Sequence, residues 1–510
     1  MSSSQGHIVA VSPSGWGHIK SLICFIGKML HSKPVHVTIF VPLNYYEKTR
    51  KELDTSFVHG AEDELRQLAR VVGLETEILP TNSKILNENL LGHYTNLLDG
   101  KPVQQTPESD VYYDGISPPS LLILDFFLVD TLSMIRSLGG KNIPVYILQS
   151  SVAVSLLFFS GPEHLGGNGN LKEKLMRIDA KDDITRNLEI EKAYRRCHGE
   201  LLSLPGLPPM YDYEFHPQET SVPIALYAAP LFAKLPQLLN ECDGIIQNAN
   251  PTIDKHAIDA LHNWLSNKPI FNIGPLDFPL FEKPRDQNPS TLEALNFLNS
   301  SLLKHGPQSI VYISFGTLFW FKKPELFWPI IDILIENNVP FMMSIASPFA
   351  VFPDETLERI NSSGLAYCSK WMPQTEILRH EACGWFMTHC GQNSATESLS
   401  AGVPMICCPF DADQPMNAAS LTSTHDVAYE LFELRSGEGL RPIHRLGNRS
   451  PEGTVDSAQR EFRDVLAKAR GDDGARKRAN IRALQSQLKE HWAPGSYNWR
   501  ELERCLKVIS

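Results

Sequence analysis

Short apolar runs recur along this chain, each followed by a stretch whose apolar positions repeat at helical spacing. Ile8–Val11, Val35–Val41, Leu121–Leu124, Val145–Leu148 and Gly244–Ile246 make one series. Ile310–Phe315, Phe341–Ile345, Phe386–Thr388 and Met405–Cys408 make a second. Continuous apolar runs of this length, bounded by polar turns, are the pattern of strands buried on both faces. Strands alternating with helices predict parallel sheets joined by right-handed crossovers. Two series predict two doubly wound units in an α/β chain. A length of 510 residues agrees, because one core seldom serves more than about 250–300 residues. Ligands of such folds bind at the carboxyl ends of the strands, here in the crevice between the units.

One repeat is legible in detail: the strand ending at Asp125, a helix near Val129–Leu138, a Gly139-Gly140 stop, then the next strand. Asp277–Pro289, rich in proline and charge, breaks the periodicity and predicts the boundary. The chain thus divides into 1–276, a linker and entry at 277–305, a second unit at 306–492, and a C-terminal helix, 493–510, expected to pack back toward the first unit. Ser436–Gly453, with several glycines and basic residues, reads as a surface insertion.

Composition narrows the function. The net charge of −11 leaves no basic footprint for nucleic acid. No basic segment leads into an apolar run at the N-terminus, and no window of about 20 apolar residues exists, so neither a secretory signal nor a transmembrane span is expected. Nine scattered cysteines without a C-x-x-C pair read as reduced thiols of a cytoplasmic protein, expected to be a monomer. No metal-ligand cluster is legible, so no metal or other cofactor is expected.

The chemistry concentrates in Trp371–Gln414. A strand ends in His389-Cys390-Gly391, followed by Gln392-Asn393-Ser394 and a helix that stops at Gly402 before Pro404. The free N–H groups and positive dipole end of such a helix form an anion site. Arg379 is the only Lys or Arg in the segment, so a diphosphate there must be held by neutral donors, with His389, Asn393 and Ser394 suitably placed. Taken singly, these residues have plainer explanations. Ser394-x-x-Glu397 is a regular capping box, His389 could be a core histidine, and Trp371 could be packing.

Taken together, the segment resembles the donor-binding signature of the family 1 UDP-glycosyltransferases, and both span 44 residues. The matching elements are Trp371-x-Pro373-Gln374, Ile377-Leu378-x-His380, Thr388-His389-Cys390-Gly391-x-Asn393-Ser394, Glu397-Ser398-x-x-x-Gly402-Val403-Pro404, Pro409 and Asp413-Gln414. Gly17-His18, Asp125, Gly274-Pro275-Leu276, Ser314-Phe315-Gly316-Thr317 and Gly495-Ser496-Tyr497 extend the likeness over most of the chain. The resemblance implies the GT-B fold, two Rossmann-like domains facing across a cleft. It also implies an inverting hexosyl transfer from a UDP-sugar, with UDP-glucose favoured by Gln414, to a hydroxyl of a small apolar acceptor, without a metal.

By position, Trp371 resembles the uracil platform and Gln374 the reader of its edge. Glu397 resembles the ribose acceptor. Thr317, His389, Asn393 and Ser394, around the Gly391 turn, resemble the diphosphate cradle, and Asp413 and Gln414 the sugar-hydroxyl pair. Gln392, near the sugar, stands where plant members often have tryptophan, and Ser21 stands where they usually have proline, which reads as a local difference. His18 resembles the general base and Asp125 its orienter, with Asp130 as the fallback. A helix N-terminus favours a neutral histidine. Trp16, Phe126, Phe127, Ser150, Phe158 and Phe159 are candidates to line the acceptor side.

Two other classes fit the architecture. A non-catalytic sugar-nucleotide-binding homologue would lack His18 or Asp125. A dehydrogenase or a nucleotide-sugar epimerase is a further possibility, but a dehydrogenase should carry G-x-G-x-x-G after its first strand, and Ser12–His18 does not read that way.

Overall fold

The computed structural model describes residues 6–139, 143–220, 223–280 and 288–509. Gly140 of the expected helix stop and 281–287 of the expected linker lie outside them. Two parallel sheets carry the fold. The first holds β1 (His7–Val11), β2 (His36–Pro42), β3 (Ala69–Leu74), β4 (Leu121–Asp125), β5 (Val145–Gln149), β6 (Gly244–Gln247) and β7 (Ile270–Asn272), in the order β7-β6-β5-β4-β1-β2-β3. The second holds β8 (Ile310–Ser314), β9 (Phe341–Ser344), β10 (Ala366–Ser369), β11 (Cys383–Thr388), β12 (Met405–Cys407) and β13 (Ala428–Glu430), in the order β10-β9-β8-β11-β12-β13. All nine apolar runs are strands, and β11 begins three residues earlier than its run. Within these two sheets, the strands that the pattern does not signal, β3, β7, β10 and β13, are the four edges.

Winding reverses once in each sheet. β1 has β2 on one side and β4 on the other, with Val11 in register with Leu124. β8 has β9 on one side and β11 on the other, with Ser314 in register with Thr388. Loops leaving such adjacent strands part to opposite sides and leave a crevice.

Helices follow from the same alternation. In α1 (Trp16–Ser32), Ile19, Leu22, Ile23, Ile26 and Leu30 are buried, the i, i+3, i+4 stripe of a helix lying on a sheet. Next come α2 (Val129–Gly139), α3 (Gln374–Arg379) and α4 (Gln392–Ala401). α4 ends at Gly402, which takes the left-handed conformation at φ 70° while the Val403 N–H donates to the Ser398 carbonyl. α5 (Gln414–Ala419) buries Met416 and Ala419 in the apolar cluster of the first unit, with Phe158, Phe159 and Phe232. α6 (Tyr497–Cys505) lies against β7, its Arg504 donating to the Ile270 carbonyl at 2.5 Å.

Ser436–Gly453 is not the surface insertion its composition suggests. The Ser436 N–H donates to the Pro217 carbonyl, and the Tyr213 hydroxyl donates to the Pro442 carbonyl at 2.6 Å. Arg445 donates to Glu430 at 2.8 Å and lies 3.7 Å from Glu214 of the first unit. The glycines serve close approach: a Cβ at Gly439 would come within 2.2 Å of the Pro217 oxygen. The segment is a strap between the units. Among the described residues, no helix is long and apolar enough to cross a membrane, and all nine cysteines are free.

Candidate active site

The loops after β1 and β4 meet at the first reversal. His18 falls in the first turn of α1 and Asp125 closes β4. His18 Nδ1 lies 2.9 Å from Asp125 Oδ2, and Asp125 Oδ1 accepts the Phe127 N–H at 2.9 Å. Asp125 is 1% exposed. With Nδ1–H facing this carboxylate, Nε2 carries the lone pair. The neutral bias expected from the helix end does not prevail. Burial lowers the proton affinity of His18, but the charge and hydrogen bond of Asp125, with the charge of Asp413, outweigh burial and hold it above the ordinary histidine value. Asp130, the fallback orienter, sits on the surface of α2 and is taken by Lys234 at 2.8 Å.

Phe127, half-buried, packs on His18 at 4.6 Å between centroids, and Phe126 lies 6.0 Å from it. Phe158 and Phe159 are buried against Phe215 and Phe232 and form the wall behind. Trp16 instead stacks on Tyr45 with the Lys48 ammonium over its ring. Ser150 is buried, its carbonyl accepting from Asn248, and it is the neighbouring Ser151 that bonds Asp413.

Across the cleft, β8 and β11 end side by side, so the turn holding Gly316 and Thr317 meets His389. A Cβ on Gly316 or Gly391 would come 2.8 or 2.7 Å from His389 Nε2, so the ring is clasped between two glycines. Burial pushes His389 down to about 4, against a backbone hydrogen bond with Ser314 that favours the charged form, so it is neutral. Thr317 is exposed at the cleft. Cys390 and Ala412 adopt left-handed backbone at φ 65° and 59° without being glycine, a strain uncommon outside functional loops.

α4 begins at Gln392 with Gly391 as its N-cap. The capping box Ser394-x-x-Glu397 is therefore not formed, since Ser394 is already inside the first turn. Its hydroxyl accepts from Gln374 Nε2 at 3.3 Å, and Glu397 Oε2 accepts from the same amide at 2.6 Å. Asn393 reaches across the cleft: its Nδ2 donates to the Gly17 carbonyl at 3.0 Å, and its Oδ1 accepts from Ser21 Oγ at 3.2 Å. Ser21 is thus more than a local difference. Asp413 Oδ2 accepts the Gln392 N–H at 3.1 Å, capping α4. Gln414 is buried, its Oε1 accepting the N–H of Phe410 at 2.9 Å, which leaves Nε2 for a ligand. Trp371 stands 45% exposed at the entry to α3.

Contacts within and across the cleft thus bring His18, Asp125, Gln374, Gln392, Asn393, Ser394, Glu397 and Asp413 together, with Gln414 turned inward, while Asp130 stands apart. The structure adds groups that local pattern did not reveal. Lys20 on α1 donates to Glu397, and Asp277 accepts from Thr396 Oγ1 at 2.6 Å. The one signal for Lys20 is that it is the only cation in the first turns of α1. Among the described residues, no three His, Cys, Asp or Glu side chains converge as metal ligands.

Comparisons with known proteins point one way. Residues 279–438 match the family model described as "UDP-glucoronosyl and UDP-glucosyl transferase". The chain is 26% identical over 514 residues to the UDP-glycosyltransferase eriJ of Hericium erinaceus, covering 96% of each. It is 34% identical over 287 residues to the (R)-mandelonitrile beta-glucosyltransferase of Prunus dulcis, covering 53% of each. The fold resembles that of Medicago truncatula UGT71G1 complexed with UDP-glucose, with a TM-score of 0.68 and 20% identity, over 99% of this chain and 98% of that one.

The balance at His18 gives a measurable expectation. Its imidazole, followed by NMR, should titrate with a midpoint above the ordinary histidine value of about 6.5. In Asp125→Asn the attraction is gone and burial remains, so the midpoint should fall below that of the parent. An unchanged midpoint would show that Asp125 does not set it.

Proposed function

We propose that the chain is a family 1 UDP-glycosyltransferase and that it transfers glucose from UDP-glucose to a hydroxyl of a small apolar acceptor with inversion at the anomeric carbon. One observation carries the reading. The His18–Asp125 pair, 2.9 Å apart, is held against the N-terminus of α4 by the bond from Asn393 to Gly17. A base and an anion-binding helix end therefore share one cleft.

In this mechanism His18 Nε2 takes the proton of the acceptor hydroxyl. The acceptor oxygen attacks the anomeric carbon, and the bond to UDP breaks on the opposite face. Asp125 fixes the imidazole tautomer and stabilises the imidazolium. The charge that develops on the leaving diphosphate is met by the N–H groups of α4 and by Thr317, His389, Asn393 and Ser394. Uracil lies on the exposed face of Trp371. Phe126 and Phe127 beside His18 favour an apolar acceptor. Nine free thiols suit a cytoplasmic setting.

Replacing His18 by Ala should lower turnover by about 10²–10⁴-fold with UDP affinity little changed, and near-normal turnover would remove His18 from this role. Because neutral donors and a helix end serve the diphosphate, activity should persist in excess chelator. A requirement restored by magnesium or manganese would refute that.

Equal concentrations of UDP-glucose, UDP-galactose and UDP-glucuronate should yield mainly the glucoside. Gln414 can offer only its Nε2–H, and one misplaced hydroxyl leaving it unpaired costs about 1–3 kcal/mol, or roughly ten- to a hundredfold. A glucuronate carboxylate would approach Asp411 and Asp413, whose nearby basic groups are already engaged: His216 lies 3.1 Å from Asp411, and Arg195, 3.7 Å from Asp411, is shared with Glu191 at 3.3 Å. A dominant galactoside or glucuronide, identified by mass and by the linked sugar, would overturn this preference.

A further inference from the structure

Lys20 lies two residues beyond His18 on the helix of the acceptor unit, yet its ammonium ends among donor-side groups. It donates to Glu397 Oε1 and lies 3.5 Å from Asp277 Oδ1, and the three side chains are 12%, 7% and 5% exposed. The other oxygen of Glu397 already accepts from Gln374 at 2.6 Å. Burial lowers the proton affinity of Lys20, but the charges of Asp277 and Glu52 outweigh it and keep the group protonated. A small pocket opens here, lined by Lys20, Asp277, Thr375, Arg379, Glu397 and Ser400.

Resting on the donor-site reading above, we propose that Lys20 is a latch on the ribose subsite: it competes with the nucleotide's ribose hydroxyls for Glu397 and withdraws to Asp277 when the donor binds. Both oxygens of Glu397 are engaged before any nucleotide arrives, one by an amide and one by an ammonium, and the bond in which both partners are charged is the stronger. Ribose hydroxyls gain Glu397 by replacing a partner. The ammonium can leave without becoming an unpaired buried charge, because Asp277 receives it. The exchange would also report donor occupancy to α1, the helix that carries His18.

The test compares dissociation constants of UDP and 2′,3′-dideoxy-UDP by calorimetry. Their ratio measures what the hydroxyls contribute, and it cancels any general effect of removing a cation near a diphosphate. The dideoxy/UDP ratio should be about three- to tenfold larger in Lys20→Met than in the parent, the size of one ordinary net hydrogen bond released from competition. It should fall in Asp277→Asn, where Lys20 has lost its alternative seat, and that arm decides alone if Lys20→Met does not fold. Equal ratios in all three proteins, or a smaller ratio in Lys20→Met, would overturn the latch. Failure of the parent to bind UDP would instead overturn the donor-site reading, and the latch with it.

Discussion

The cleft depends on one geometric constraint, the single reversal of winding in each parallel sheet. Strands on either side of a reversal are adjacent, but the loops that leave them diverge, so their carboxyl ends frame an open crevice. His18 and Asp125 are 107 positions apart in the chain and become partners because Val11 is in register with Leu124. The Gly316 turn and His389 meet because Ser314 is in register with Thr388. Shifting either register by one residue would exchange the faces of the strand and lose both the core and the site.

Two histidines at these strand ends show how environment sets chemistry. A helix N-terminus carries about half a positive charge, and its influence fades within a turn. His18 feels that end, yet a full carboxylate at 2.9 Å outweighs it and raises the proton affinity. His389 is as sequestered but has no carboxylate partner, and burial takes it down to about 4. One is thereby suited to receive a proton during reaction and the other to remain a neutral hydrogen-bonding group.

Much of the fold was legible because interior strands of a parallel sheet are apolar on both faces. All nine runs read from the pattern are strands, and all nine are interior to the two sheets, while the edges carry no such signal. Edge strands have one partner and shorter or more mixed sequences, as in Ala366–Ser369, whose residues are all only half-buried. The site was legible as an ordered set of residue types, but not as orientations. Sequence order placed Gln414 at the sugar, while its Oε1 is spent on the backbone of its own loop. It suggested a capping box at Ser394, whereas Gly391 starts the helix. Lys20 and the strap at 436–453 were missed for one reason: their partners belong to the other unit, and no local periodicity encodes a contact across a cleft.

The two ends of that interface are held by different kinds of contact. At the sugar loop, Asp411 is fully buried, 3.1 Å from His216 Nδ1 and 3.7 Å from Arg195, both from the first unit. Burial raises its proton affinity, but His216 and Arg195 outweigh it and keep the group ionised. Removing a partner there would leave a buried carboxylate without its counter-charge, a loss of about 3–5 kcal/mol. The strap, with Arg445 between Glu430 and Glu214, adds a second buried ionic joint beside it. At the nucleotide end the units meet through the amide of Asn393, the hydroxyl of Ser21 and the ammonium of Lys20, which has two carboxylates within reach. Neutral hydrogen bonds and an exchangeable ion pair are cheaper to trade with a ligand than an ion with no alternative partner. The sugar loop is therefore shaped by the acceptor unit as firmly as by its own sheet, while the ribose end is where contacts can be exchanged.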